Sequence, residues 1–134
     1  AYGEATVPKI TITLRKSYGG SHIVMGCKQL RADLNFAWPS SEIAVMGASG
    51  AVAVLCGKEA KAKKEAGEDV KAFLAEKEQE YTDKFANPYQ AAQYGYIDDV
   101  IEPRNTRFRI CRGLAQLATK RQSLPAKKHG CMPM

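Results

Sequence analysis

From Arg15 to Lys28 the chain reads Arg-Lys-Ser-Tyr-Gly-Gly-Ser-His-Ile-Val-Met-Gly-Cys-Lys, the pattern of a strand end, a glycine pair and the opening of a short helix. Such a turn aims bare backbone N–H groups at one point, where they can hold a negatively charged oxygen. The missing side chains of Gly19 and Gly20 let a ligand approach the main chain closely. Chemistry there can run on amides alone. Spacing by itself leaves one alternative open, a tight strand-to-helix turn that needs glycine only for steric reasons.

Side-chain chemistries find less support. Gly47-Ala48-Ser49-Gly50-Ala51 misses the nucleophile-elbow pattern at its last position, and Ser21 lacks the second flanking glycine, so a serine hydrolase is not expected. Gly57-Lys58 is followed by Glu59 without the upstream glycine of a P-loop, and Tyr18–Ile23 fails the dinucleotide fingerprint. His22 and His129 lie too far apart in sequence to form a local metal pair, so no metal is expected, and each reads as a surface or satisfied residue. Asp98 and Asp99 alternate faces on a strand and read as structure rather than as an acid and a base. Cys27, Cys56, Cys111 and Cys131 are scattered with no Cys-x-x-Cys, which implies reduced thiols without zinc or redox function.

The elements that must position the glycine turn follow from periodicity. Lys9–Leu14 alternates apolar and polar residues and predicts a strand, with Ala1–Ala5 as the tail of a severed helix. Ile23, Val24 and Cys27 supply the apolar set of the short helix after the glycines. Ala32–Pro39 predicts a strand stopped by proline, and Glu42–Met46 another that runs into Gly47–Gly50 and a helical turn at Ala51–Leu55. The strand, glycine turn and helix therefore occur twice, which predicts an α/β layer with its loops on one edge. Residues 57–68 hold almost nothing apolar and read as an exposed charged helix or connector. From Asp69 onward, Val70, Phe73, Leu74, Tyr81 and Phe85 fall on one stripe of a helix ending near Asn87-Pro88. A short helix over Tyr89–Tyr94, a strand over Tyr96–Ile101 and a last helix capped at Asn105 or Thr106 complete the pattern. Ile110, Cys111, Leu114, Leu117 and Ala118 are predicted as the buried face of that helix. Residues 121–134 read as an extended basic tail.

Length and composition agree with one domain or part of one: 134 residues, 45% hydrophobic and 25% charged. The formal net charge of +6 is uneven, with +2 on residues 1–56, −1 on residues 57–86 and +5 on residues 87–134. Only Phe108 lies among Arg104, Arg107, Arg109 and Arg112, too few aromatics for a nucleic-acid groove. The basic excess reads instead as a solvated helix face or a contact for an acidic protein. A non-catalytic interaction module built on that helix is thus the competing functional class. No apolar run approaches the ~20 residues of a membrane helix. The expectation is a cytoplasmic chain cut from something longer.

A set of ordered segments narrows these readings. Glu4–Pro8, Tyr18-Gly19-Gly20 with Val24-Met25-Gly26, Ala37-Trp38-Pro39, Ile43–Gly47, Asn87-Pro88-Tyr89, Gly95–Ile101 and Lys127–Gly130 run through nearly the full length. In this order they resemble the C-terminal part of the carboxyltransferase (β) subunit of biotin-dependent acyl-CoA carboxylases, of the propionyl-CoA carboxylase type. Methylmalonyl-CoA decarboxylase, glutaconyl-CoA decarboxylase and transcarboxylase subunits share the pattern. The resemblance implies a crotonase-like (ClpP-like) α/β fold of stacked β-β-α units, with residues 1–134 as a partial second domain of a two-domain subunit. It implies a trimer of dimers for the full subunit, an acyl-CoA substrate, and biotin arriving as carboxybiotin on a carrier protein charged by a biotin carboxylase subunit. The acyl-CoA side of the active site is implied to come from the first domain of a neighbouring subunit. The backbone amides of Gly20 and Ser21 are implied as the oxyanion hole for the biotin ureido oxygen, with Tyr18, Gly19 and Ile23 about the substrate and biotin pocket. Ser21-His22 stands where a small and an aromatic residue are usual, which leaves a main-chain role intact.

Overall fold

The computed structural model describes residues 1–126. The chain begins in a turn, where the Glu4 and Ala5 amides donate to the Ala1 carbonyl, rather than in a helix end. Strand β1 (Ile10–Thr13) is followed after two residues by β2 (Lys16–Tyr18), and β2 runs directly into helix α1 (Gly19–Val24). A 3-10 turn at Lys28–Leu30 leads to β3 (Leu34–Ala37) and β4 (Glu42–Ala44), then to α2 (Ala48–Leu55). The unit of two strands and a helix is therefore repeated. Its strands part company: β1 and β3 pair in parallel, Ile10 opposite Leu34 and Thr13 opposite Ala37, whereas β2 and β4 pair in parallel in a second sheet, Lys16 opposite Glu42 and Tyr18 opposite Ala44. Each repeat thus adds one strand to each sheet. Pro39, which has no N–H to donate, follows the end of β3 and separates it from β4.

Helices α3 (Gly57–Glu65), α4 (Val70–Phe85) and α5 (Pro88–Gln93) come next, then β5 (Asp99–Val100) and α6 (Thr106–Gln116). Strand β5 extends the first sheet on the far side of β3, with Phe36 opposite Asp99 and Ala37 opposite Val100. The predicted strand over 96–101 shortens to two residues, because only Asp99 and Val100 pair with β3. Helix α3 has no buried residue, as its run of Lys and Glu demands. Asp69 caps α4 by accepting from the Lys71 and Ala72 amides, and Asn87 caps α5 by accepting from those of Tyr89 and Gln90. One core cluster joins Ala37 of β3, Ile43 of β4, Ala91 of α5 and Ile97.

Helix α6 keeps Ile110 and Leu117 of its expected face inward but turns Cys111, Leu114 and Ala118 out. Gly113 is buried, a Cβ there would stand 2.7 Å from Leu34 Cδ1 and 3.0 Å from Ile10 Cδ1, and Cys111 and Leu114 are exposed. The inward line is Thr106, Ile110, Gly113 and Leu117, at spacings of four, three and four residues. A glycine contributes nothing to hydrophobic periodicity, yet it sets how closely the helix seats on the sheet. Trp38 Nε1 donates to Thr106 Oγ1 at 2.9 Å and fixes the start of this helix. The acidic pair is structural: Asp98 accepts from the Asn35 amide at 2.8 Å and pairs with Lys28, and Asp99 pairs with Arg109. Lys127, Lys128, His129 and Cys131 lie outside the described residues.

Candidate active site at the glycine turn

The turn after β2 is built by a change of backbone hand. Tyr18 is extended, at φ −117° and ψ 139°, and Gly19 follows at φ +51° in the left-handed region. A Cβ on Gly19 would stand 2.9 Å from the Val45 carbonyl oxygen, so both conformation and space require glycine there. Gly20 differs on both counts. It is outside the left-handed region, and a Cβ on it would meet nothing within 4 Å. The steric account of the glycine pair therefore holds for Gly19 and not for Gly20.

Gly20 and Ser21 occupy the first turn of α1, where amides have no intrahelical acceptor, and both residues are exposed. A left-handed glycine followed by right-handed residues turns successive N–H groups toward one side, a favourable arrangement for an anionic oxygen. Ser21 Oγ donates back to the Tyr18 carbonyl at 2.7 Å, so its hydroxyl is committed to the turn. Tyr18 is held away by its hydroxyl, which donates to Glu42 Oε2. That hydrogen bond, with burial, raises the Tyr18 pKa to about 12.

Beside the turn lies a cleft of about 470 Å³, walled by α1, β4, α4 and the segment after α5. Gly19, His22 and Ile23 line it from α1, whereas Tyr18, Gly20 and Ser21 are not among its lining. Ile23 is half exposed and opens onto it. Tyr81 and Phe85 of α4 form its second wall with ring centroids 5.1 Å apart, and Tyr94 and Tyr96, 6.0 Å apart, form the third. Periodicity puts Tyr81 and Phe85 on one helical stripe. Helix α4 in fact has no buried residue: Val70, Phe73, Leu74 and Tyr81 are half-buried, and Phe85 is 42% exposed where it lines the cleft. Tyr94 and Tyr96 carried no signal beyond their aromatic character. His22 Nδ1 lies 2.9 Å from Ser17 Oγ, and burial lowers the His22 pKa below its ordinary value. Among the described residues, no group of three or more His, Cys, Asp or Glu could hold a metal ion, and no helix is long and apolar enough to cross a membrane.

Two sheets fed alternately by repeated β-β-α units, with a strand-to-helix glycine turn opening beside an apolar cleft, define a crotonase-like α/β domain. Residues 1–132 match the carboxyl transferase domain, and the chain belongs to that family. It is 53% identical over 134 residues to the propionyl-CoA carboxylase beta chain of Saccharopolyspora erythraea, covering 100% of this chain and 24% of that one. It is 55% identical over 133 residues to the methylmalonyl-CoA carboxyltransferase 12S subunit of Propionibacterium freudenreichii subsp. shermanii, covering 99% of this chain and 25% of that one. A solved transcarboxylase 12S hexamer with methylmalonyl-coenzyme A and methylmalonic acid bound superposes with a TM-score of 0.87 at 54% identity, over 99% of this chain and 25% of that one. The beta subunit of Pseudomonas aeruginosa geranyl-CoA carboxylase does so with a TM-score of 0.67 at 26% identity, over 96% of this chain and 24% of that one. The chain spans about a quarter of the length of these relatives.

Proposed function

We propose that this chain forms the biotin-facing part of the active site in a longer carboxyltransferase subunit, as a partial second domain. That subunit exchanges a carboxyl group between biotin on a carrier protein and the α-carbon of propionyl-CoA or a similar short acyl-CoA. A biotin carboxylase subunit recharges the carrier, and the subunit assembles as a trimer of dimers. The relatives include a carboxylase, a transcarboxylase and a methylmalonyl-CoA decarboxylase subunit at 52–55% identity, which supports the shared half-reaction and leaves its direction to the rest of the protein.

The observation that carries the site assignment is the freedom around Gly20. The fold has no need of glycine there, so the empty space suits close approach by a ligand carbonyl to the Gly20 and Ser21 amides. That space and those donors fit the ureido group of biotin. Carboxybiotin, when bound, supplies an activated carboxyl group. In this reading the two amides hold the negative charge that collects on the ureido oxygen, positioned in advance by the β2–α1 turn. One such donor is typically worth ~3 kcal/mol, or roughly a hundredfold in rate. Ile23 and the aromatic walls exclude water beside the acyl group. Among the described residues, the lining of the neighbouring cleft contains no Asp, Glu, Lys or Arg.

The experiment is Gly20→Pro in the complete subunit, which deletes one amide donor and strains the turn. Carboxyl transfer is expected to fall about a hundredfold while sedimentation shows the same assembly. Unchanged transfer removes the amide assignment.

A further inference from the structure

We propose that His22 is a specificity-determining residue, which presents its Nε2–H to a carbonyl oxygen of a ligand lying in the cleft. The inference rests on the reading that the cleft takes biotin and an acyl-CoA, whose ureido and thioester groups share this carbonyl chemistry. Three observations place the residue for that work.

First, His22 lines the cleft while Ser17, its partner from β2, does not. One edge of the imidazole is therefore held from β2, while the residue itself borders the cleft. Second, Nδ1 is taken by Ser17 Oγ at 2.9 Å, and Nε2 has no hydrogen-bond partner among the described residues. The serine hydroxyl can donate to Nδ1, which leaves the single ring proton of the neutral imidazole on Nε2. Third, the surroundings favour the neutral ring: burial lowers its pKa, and among the described residues the other titratable groups on the cleft wall are Tyr81, Tyr94 and Tyr96. Among the described residues, Asp, Glu, Lys and Arg do not contribute to that wall, so no charged side chain of α4, α5 or β4 lines the cleft opposite the ring. In a mostly apolar cavity, a fixed donor discriminates between ligands that satisfy it and ligands that leave it unpaired. It also lies on the same short helix as the Gly20 and Ser21 amides.

The test uses the complete subunit with propionyl-CoA and the carboxybiotinylated carrier. His22→Phe keeps a ring in place and removes the donor. It is expected to raise one KM about five- to tenfold, with kcat changed less and the melting temperature unchanged. A rise in the KM for propionyl-CoA assigns the contact to the thioester carbonyl, and a rise in the KM for the carrier assigns it to the ureido carbonyl. His22→Gln, whose side-chain amide can stand in for Nε2–H, is expected to restore the affected KM to within about twofold. Ser17→Ala, which releases the ring, is expected to raise the same KM by a smaller factor. Unaltered KM values in His22→Phe, or failure of His22→Gln to restore a raised KM, overturn the proposal while the function stands. A wild-type subunit that transfers no carboxyl group overturns both.

Discussion

Replacing Gly19 and Gly20 one at a time by alanine separates a glycine the fold needs from one that a ligand needs. At Gly19 an alanine must hold φ +51°, which costs an L-residue about 1–2 kcal/mol, and its Cβ would press to 2.9 Å from the Val45 carbonyl. The sum is a destabilisation of about 1–3 kcal/mol. At Gly20 the added methyl meets nothing within 4 Å, and alanine in a helical position is favoured over glycine by about 0.5–1 kcal/mol. The two variants should therefore differ by about 1.5–4 kcal/mol, roughly ten- to a thousandfold in the folding equilibrium, with Gly20→Ala at or above wild type. Urea denaturation of the complete subunit measures that difference, and carboxyl transfer is measured on the same preparations. Gly20→Ala is expected to lower transfer at least tenfold without loss of stability, because the methyl enters the space a ligand would use. Two results would refute the reasoning: destabilisation of Gly20→Ala as large as that of Gly19→Ala, or wild-type transfer by a correctly assembled Gly20→Ala subunit.

Two other outcomes follow from the same geometry. Ile23→Asp places a carboxylate on the cleft wall at a half-exposed position, with a desolvation cost of ~1–3 kcal/mol when a ligand covers it. The ratio of kcat/KM for acetyl-CoA and propionyl-CoA should shift at least fivefold with little change in melting temperature, and an equal fall for both substrates would make Ile23 part of the core instead. Burial opposes charge on Asp33, but hydrogen bonds from Lys120 Nζ at 2.8 Å and the Lys9 amide at 2.7 Å outweigh it and lower its pKa. A carboxyl whose folded pKa is depressed stabilises the protein above its ordinary range and loses that contribution as pH falls through the folded value. Lys120→Met should therefore destabilise by about 1 kcal/mol at pH 7 and progressively less below pH 4, and a pH-independent difference in urea midpoints would contradict this pairing.

Much of this architecture is readable from local pattern. The alternation of Ile10, Ile12 and Leu14, the capping Asp69 and Asn87, and Pro39 and Pro88 at element boundaries act through neighbours in sequence, so periodicity and backbone chemistry suffice to find them. The repeated strand, glycine and helix pattern likewise marks the turn where the candidate site lies. Pairing was a different matter. Nothing in β1 and β2, two residues apart, says that they join different sheets, because that choice depends on β3 and β4 arriving more than twenty residues later. The inward face of α6 is only partly legible for a related reason: Ile110 and Leu117 lie on it as expected, but Cys111, Leu114 and Ala118 do not, because it centres on Gly113, whose contribution is the absence of a side chain against Ile10 and Leu34. At the site, sequence supplied Gly19 and Gly20 as a pair, and only the positions of Val45 and of the open space beyond α1 divided them into a steric necessity and a steric freedom. The cleft is likewise a tertiary product, since Ile23, Tyr81, Phe85, Tyr94 and Tyr96 come from three separate segments. Sequence by itself determined most of the backbone conformations these segments adopt, because those energies are local, whereas the extent of β5 waited on pairing with β3. The tertiary structure decided which surfaces meet and which stay open, because burial and close approach belong to pairs of distant residues.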